Sequence, residues 1–127
     1  MRRTDQRRAA VFICYQRDVT GSQLTELIDG NAPTEFTREL VEGVEELREE
    51  LDDQISEQAV DWRLDRIAPL ERAILRVALF EIMHRPDVPD EVAIDEAVET
   101  AKLYCGAQAP GFVNGILGGI LKRVKHA

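Results

Sequence analysis

The chain is short of nearly everything that marks a secreted, membrane-spanning or metal-dependent protein. Its 127 residues include two cysteines, two histidines and one tryptophan, and aromatics make up 6%. Cys14 and Cys105 lack metal-ligand spacing, and Cys14 lies in an apolar run. The reading is a buried free thiol in a reducing cytosol, not a disulfide. His84 and His126 stand without an H-E-x-x-H pair or a cysteine partner, so neither a metal nor a cofactor is expected. No apolar run approaches 18 residues, which excludes a transmembrane helix. The apolar stretch from Ala9 to Tyr15 is not followed by small residues of a cleavage site, so no secretory signal is expected. There is no G-x-S-x-G elbow. The glycines of G-I-L-G-G have neither the spacing nor the preceding strand of a phosphate loop. The chain therefore reads as a cytoplasmic protein that is not an enzyme. The period-two alternation of strands is missing as well.

What is present is helical periodicity and an uneven charge. Hydrophobic residues make up 44% of a chain long enough for one domain with a real core. The net charge of −8 argues against nucleic acid until its distribution is read. Residues 1–17 carry five Arg against one Asp, residues 35–65 carry three Arg against twelve acids, and residues 119–127 carry +3. The chain has basic ends and an acidic middle, and a local basic patch is what matters for an anionic partner.

Six helices are expected. The first runs from about Asp5 to Val19 and stops near Gly21; being apolar all round at residues 9–15, it belongs in the middle of a bundle. A short second helix runs from Ser22, its N-cap, to Asp29, with Gly30 and Asn31 as the stop. The third runs from Thr34 to the upper fifties with Phe36, Leu40, Val41, Val44, Leu47, Leu51 and Ile55 as its buried stripe. The acids between them, including Glu45, Glu49 and Asp53, form a solvated face. Residues 62–67 make a joint between two halves. Pro69 opens the fourth helix, whose core face is Ile74, Leu75, Ala78, Leu79 and Ile82, and Pro86 and Pro89 stop it. His84 at its end suits the helix dipole. The fifth spans Glu91 to Tyr104, with Val92, Ile94, Ala97, Val98, Ala101 and Leu103 apolar. The last begins near Pro110, and its Gly115, Gly118 and Gly119 predict a close approach of another helix.

The N-terminal arginines are the best functional lead. Arg3, Arg7 and Arg8 can share a helix face, and Arg2 precedes them. Guanidinium groups grip phosphate bidentately, and cations at a helix N-terminus oppose the dipole, which a bound anion would relieve. A solvated terminus is the competing reading.

Three further blocks carry a resemblance: W-R-L-D-R-I-A-P-L-E-R-A-I-L-R-V-A-L-F-E-I, V-P-D-E-V-A-I-D-E-A-V-E-T-A-K-L-Y-C-G and G-F-V-N-G-I-L. With R-R-A-A-V-F-I-C-Y-Q-R-D-V-T-G at the start, the chain resembles the transcription antitermination factor NusB family. The resemblance implies an all-α fold, a single domain of two packed helical halves, 1–65 and 66–127. It implies binding of boxA, a short single-stranded RNA element of nascent transcripts such as ribosomal RNA. It also implies pairing with the ribosomal protein NusE and, indirectly, action on RNA polymerase with other Nus factors. Arg7, Tyr15, Asp18 and Gly21 fall on matching positions. The implied RNA contacts are Arg2, Arg3, Arg7, Arg8, Tyr15 and Phe112. Tyr15 is either a ring on which a base stacks or a half-buried core tyrosine. The implied NusE surface is Asp65, Arg66, Glu71 and Arg76. Two departures stand out: Arg17 where the family often has Trp, and a short uncharged loop at residues 106–111. Two alternatives remain, a protein-binding module without RNA affinity and the RNA-binding domain type of certain ribosomal-RNA cytosine methyltransferases.

Overall fold

The computed structural model describes residues 1–125, so His126 lies outside the described residues. Among these the regular structure is entirely helical: α1 (Arg3–Thr20), α2 (Leu24–Asn31), α3 (Glu35–Glu46), α4 (Arg48–Gln58), α5 (Pro69–His84), α6 (Asp90–Tyr104) and α7 (Ala109–Lys125), with a 3-10 turn at Leu64–Arg66. α1 ends as expected, with Gly21 at φ 70° and its N–H on the Arg17 carbonyl. α2 begins at Leu24 with Gln23, not Ser22, at its N-cap, and ends at Asn31, two residues beyond the expected Asp29. Ala32 takes the left-handed position, φ 44°, because Pro33 bars the residue before it from continuing the helix. The Thr34 hydroxyl caps α3 by accepting from the Thr37 N–H.

Two expectations are corrected. The predicted long third helix is two helices, α3 and α4, divided at Leu47 (φ −105°, ψ 16°). The bend lets α4 leave α3 and reach α7, where Arg123 donates to the Gln54 side chain at 2.7 Å. The central helix is α5 rather than α1. Ten consecutive residues, Ala73 to Ile82, are buried, whereas α1 is covered on most sides at residues 4–15, none of them exposed, but only five of its residues are fully buried. α5 is enclosed by α1, α3, α4, α6 and α7, and the buried apolar residues form one continuous cluster around it. On α6 the buried side is Ala93, Ala97, Thr100 and Ala101, while Val92 and Leu103 are exposed. Small residues there let α6 lie close against its neighbours.

The glycine expectation holds at one position of three. A Cβ at Gly119 would strike the Gln58 side chain of α4, but Gly115 and Gly118 face open space. The tightest approach is elsewhere: a Cβ at Gly43 in α3 would fall on the Phe80 ring of α5. Cys14 is buried, and burial pushes its thiol up to about 12. His84 stacks on Phe80 at 5.6 Å and lies 3.2 Å from the Glu50 carboxylate.

Candidate nucleic-acid and partner interface

α1 runs antiparallel to α5, and its buried residues are Arg7, Ala10, Val11, Ile13 and Cys14. That spacing takes Arg7 into the protein. Its Nε donates to both Glu81 carboxylate oxygens, at 2.9 and 3.0 Å, and the two side chains keep 10% and 1% of their surface exposed. Burial raises the Glu81 carboxyl above its usual range, and Arg7 offsets part of that effect. Arg7 is therefore a buried structural partner, not a free phosphate contact as the sequence suggested. The stripe at 7, 10, 11 and 14 was the available sequence signal.

The other arginines remain outside. Arg2 and Arg3 are exposed; Arg2 lies 3.6 Å from Asp5, and the Arg3 guanidinium sits 3.8 Å over the Phe36 ring. Arg8 is half-buried, and its Nε has no partner among the described residues. Tyr15 is half-buried and packs against the core cluster. Arg17, in place of an aromatic, donates to Glu45 at 3.1 Å and to the Ser22 carbonyl at 3.0 Å, which removes Glu45 from the free acidic face.

At the far end of α1 an ion network joins α1, α4 and α5. The Asp18 carboxylate accepts from Arg48 at 2.9 Å and Arg72 at 2.9 Å, with Arg76 at 3.4 Å. Arg76 also grips Asp52 through two bonds, 2.7 and 3.1 Å, and Arg72 donates to the Leu64 carbonyl of the joint. Burial works to raise the Asp18 carboxyl, but Arg76, Arg72 and Arg48 together hold it below its usual range. These groups floor an open trough of about 800 Å³. Arg76 is 4% exposed, so it is corrected from a partner contact to a buried member of this network. Its place on the fully enclosed α5 is the reason.

The remaining candidates gather around the joint. Asp65 and Arg66 are exposed, and Asp65 lies 3.4 Å from Arg63. A groove of about 440 Å³ opens beside them, lined by Trp62, Arg66, Ile67, Glu71, Gln108, Gly111 and Phe112. Phe112, half-buried at the start of α7, meets Trp62 edge-on with ring centres 6.2 Å apart. Trp62 is 53% exposed, whereas the sequence marks it only as the start of the joint. Its signal was its setting: a lone tryptophan between Asp61 and Arg63, in a non-helical segment, has no apolar stripe to join. The structure thus brings Arg66, Glu71 and Phe112 together, while Arg2, Arg3 and Arg8 lie at the opposite end of α1 from Asp18.

Fold and site define a small all-α interaction protein with an exposed arginine pair at one end and an aromatic groove at the other. The NusB family model matches residues 4–122, and the chain belongs to that family. It is 40% identical to the transcription antitermination protein NusB of Bacillus pumilus over 99% of both chains. Its fold is similar to that of T. maritima NusB, with a TM-score of 0.89, 31% identity, and 96% of this chain and 92% of that one covered. It is also similar to a chain in the crystal structure of antitermination factors NusB and NusE in complex with dsRNA. There the TM-score is 0.83 at 25% identity, covering 95% of this chain and 96% of the other.

Proposed function

We propose that this protein is a transcription antitermination factor that binds boxA-type RNA and pairs with NusE. It acts by binding, without a catalytic step of its own, in the cytoplasm. The observation that carries the reading is the likeness, over nearly the whole chain, to a protein crystallised with NusE and RNA. Local features agree with it. Arg2 and Arg3 are exposed despite the overall acidity, and no helix of the described residues is long and apolar enough to cross a membrane.

The RNA contacts are Arg2, Arg3 and Arg8 at the start of α1, Tyr15 further along the same helix, and Phe112 at the groove; Arg7 supports the arginines from inside by fixing α1 on α5. The NusE surface is Asp65, Arg66 and Glu71. Charged groups around an exposed tryptophan are the composition of an interface centre with a polar rim. The chain acts as a single domain whose halves, 1–65 and 66–127, are held by the Asp18 network.

Filter binding with boxA-like and scrambled single strands, and with duplex RNA, tests the reading with and without NusE. Preference for the boxA-like strand, strengthened by NusE, is expected. NusE binding with no RNA retention under any condition would leave only a protein-interaction module. Glu71→Arg should weaken the NusE pair through the electrostatic contribution.

A further inference from the structure

The groove beside the joint has a composition that an apolar side chain of a partner does not match. Trp62 lines the trough over the Asp18 network and two smaller hollows. One is the 440 Å³ groove, and the other, about 260 Å³, is lined by Gln58, Val60, Gly115 and Ile116 among others. The rings of Trp62 and Phe112 meet at 72°, so neither covers the other's face fully, and more than half of the tryptophan meets solvent. Side chains at Gly111 and Gly115 would meet nothing within 4 Å, so the lips of both hollows are open. A groove of this size lies within the range of sites for small molecules, about 300–1,000 Å³.

Three polar residues are part of its lining: Arg66, Glu71 and Gln108. Among the described residues none of the three makes a side-chain hydrogen bond or ion pair. An apolar protein side chain inserted against Trp62 would bury these groups without partners, which is unfavourable, most of all for the charges. A nucleotide matches them. Its phosphate suits Arg66, its base has a flat face for the indole, and an exocyclic amine can donate to Glu71. The Gln108 amide can both donate and accept at the same base edge. Phe112, proposed above as an RNA contact, lines the same groove.

We propose that this groove receives one unpaired RNA base stacked on Trp62, and that Glu71 and Gln108 select a base carrying an exocyclic amine over uracil. The proposal rests on the RNA-binding reading and adds to it a stacking residue and a base preference. Arg66 and Glu71 then lie where the RNA and NusE surfaces meet, so the two ligands border each other at this groove.

Trp62 is the chain's one tryptophan, so its fluorescence reports on the groove directly. The full-length protein, without NusE, is titrated with oligo-C and oligo-U while RNA retention is followed by filter binding. Oligo-C should quench the emission in step with retention and bind at least about five-fold more tightly than oligo-U. Abasic oligomers should be retained without quenching. Trp62→Leu, at an exposed position that leaves the core untouched, should weaken oligo-C about five-fold or more. Glu71→Ala should narrow the preference over oligo-U. Retention by the parent with unchanged emission, or equal binding by Trp62→Leu, would overturn the proposal while leaving the RNA-binding reading standing. Emission that responds to NusE but not to retained RNA would assign the groove to the protein partner and overturn it too. Absence of retention for every RNA would sink the reading and the proposal together.

Discussion

Arg7 and Glu81, 74 positions apart in the chain, meet at 2.9 Å between α1 and α5 with almost no solvent around them. A buried pair is held more by the cost of breaking it than by net attraction, because removing one partner strands the other charge. Arg7→Ala should therefore lower stability by about 3–5 kcal/mol. Arg7→Met combined with Glu81→Leu should cost far less, since no charge is left behind. Urea melts of the two variants check this; a double variant as unstable as the single one would show that the pair contributes through something other than its buried charges.

The Asp18 network gives a pH prediction whose sign follows from its arginines. Its folded carboxyl lies below the usual value, so its contribution to stability is complete above the ordinary carboxylate range and is lost as pH falls through the depressed folded value. Asp18→Asn should destabilise the protein at neutral pH and lose less further stability on acidification. Thermal melts between neutral pH and about pH 3 would show the two curves converging at the acid end. Parallel curves would mean that Asp18 titrates alike in the folded and unfolded states.

Gly43 faces Phe80 so closely that no side chain fits without movement. Gly43→Ala should cost about 1–3 kcal/mol as overpacking, despite alanine's better helix propensity. Adding Phe80→Leu should recover part of the loss by removing the ring. A Gly43→Ala protein as stable as the parent in denaturant titration would mean that the ring turns aside freely.

Much of the helical frame was legible because it depends on local rules: Gly21 and Pro69 mark helix ends, and Phe36, Leu40, Val41, Val44, Leu51 and Ile55 bury as spaced, with Leu47 half-buried at the bend. What was not legible depends on contacts between distant segments. Nothing near Leu47 announces the division of α3 from α4; it answers to the position of α7. α5 is central because five other helices surround it, and its own apolar stripe could not reveal that. The same reason hid the fate of Arg7 and Arg76. An arginine reads as exposed until a carboxylate 74 or 24 positions away is seen to hold it. Trp62 carried a signal in its polar setting, but only the juxtaposition with Phe112 and Glu71 turns it into part of a groove.

The division of the arginines sharpens the expected salt dependence of RNA binding. Phosphate neutralisation releases counterions, and each phosphate of a single strand contributes about −0.7 to the slope of log K against log salt. Arg2 and Arg3 are exposed, whereas the Nε of Arg7 is committed to Glu81. Replacing Arg2 and Arg3 together with Ala should flatten the slope by about 1.4 units and weaken all single strands alike, because phosphate contacts position without reading sequence. The Arg7→Met, Glu81→Leu double variant removes an arginine from the same helix yet should leave the slope unchanged, provided circular dichroism shows the fold intact. The comparison separates an arginine that touches RNA from one that holds the helix beneath it. Equal flattening in both variants would return Arg7 to the RNA surface, and no flattening in either would reduce the N-terminal arginines to a solvated end of α1.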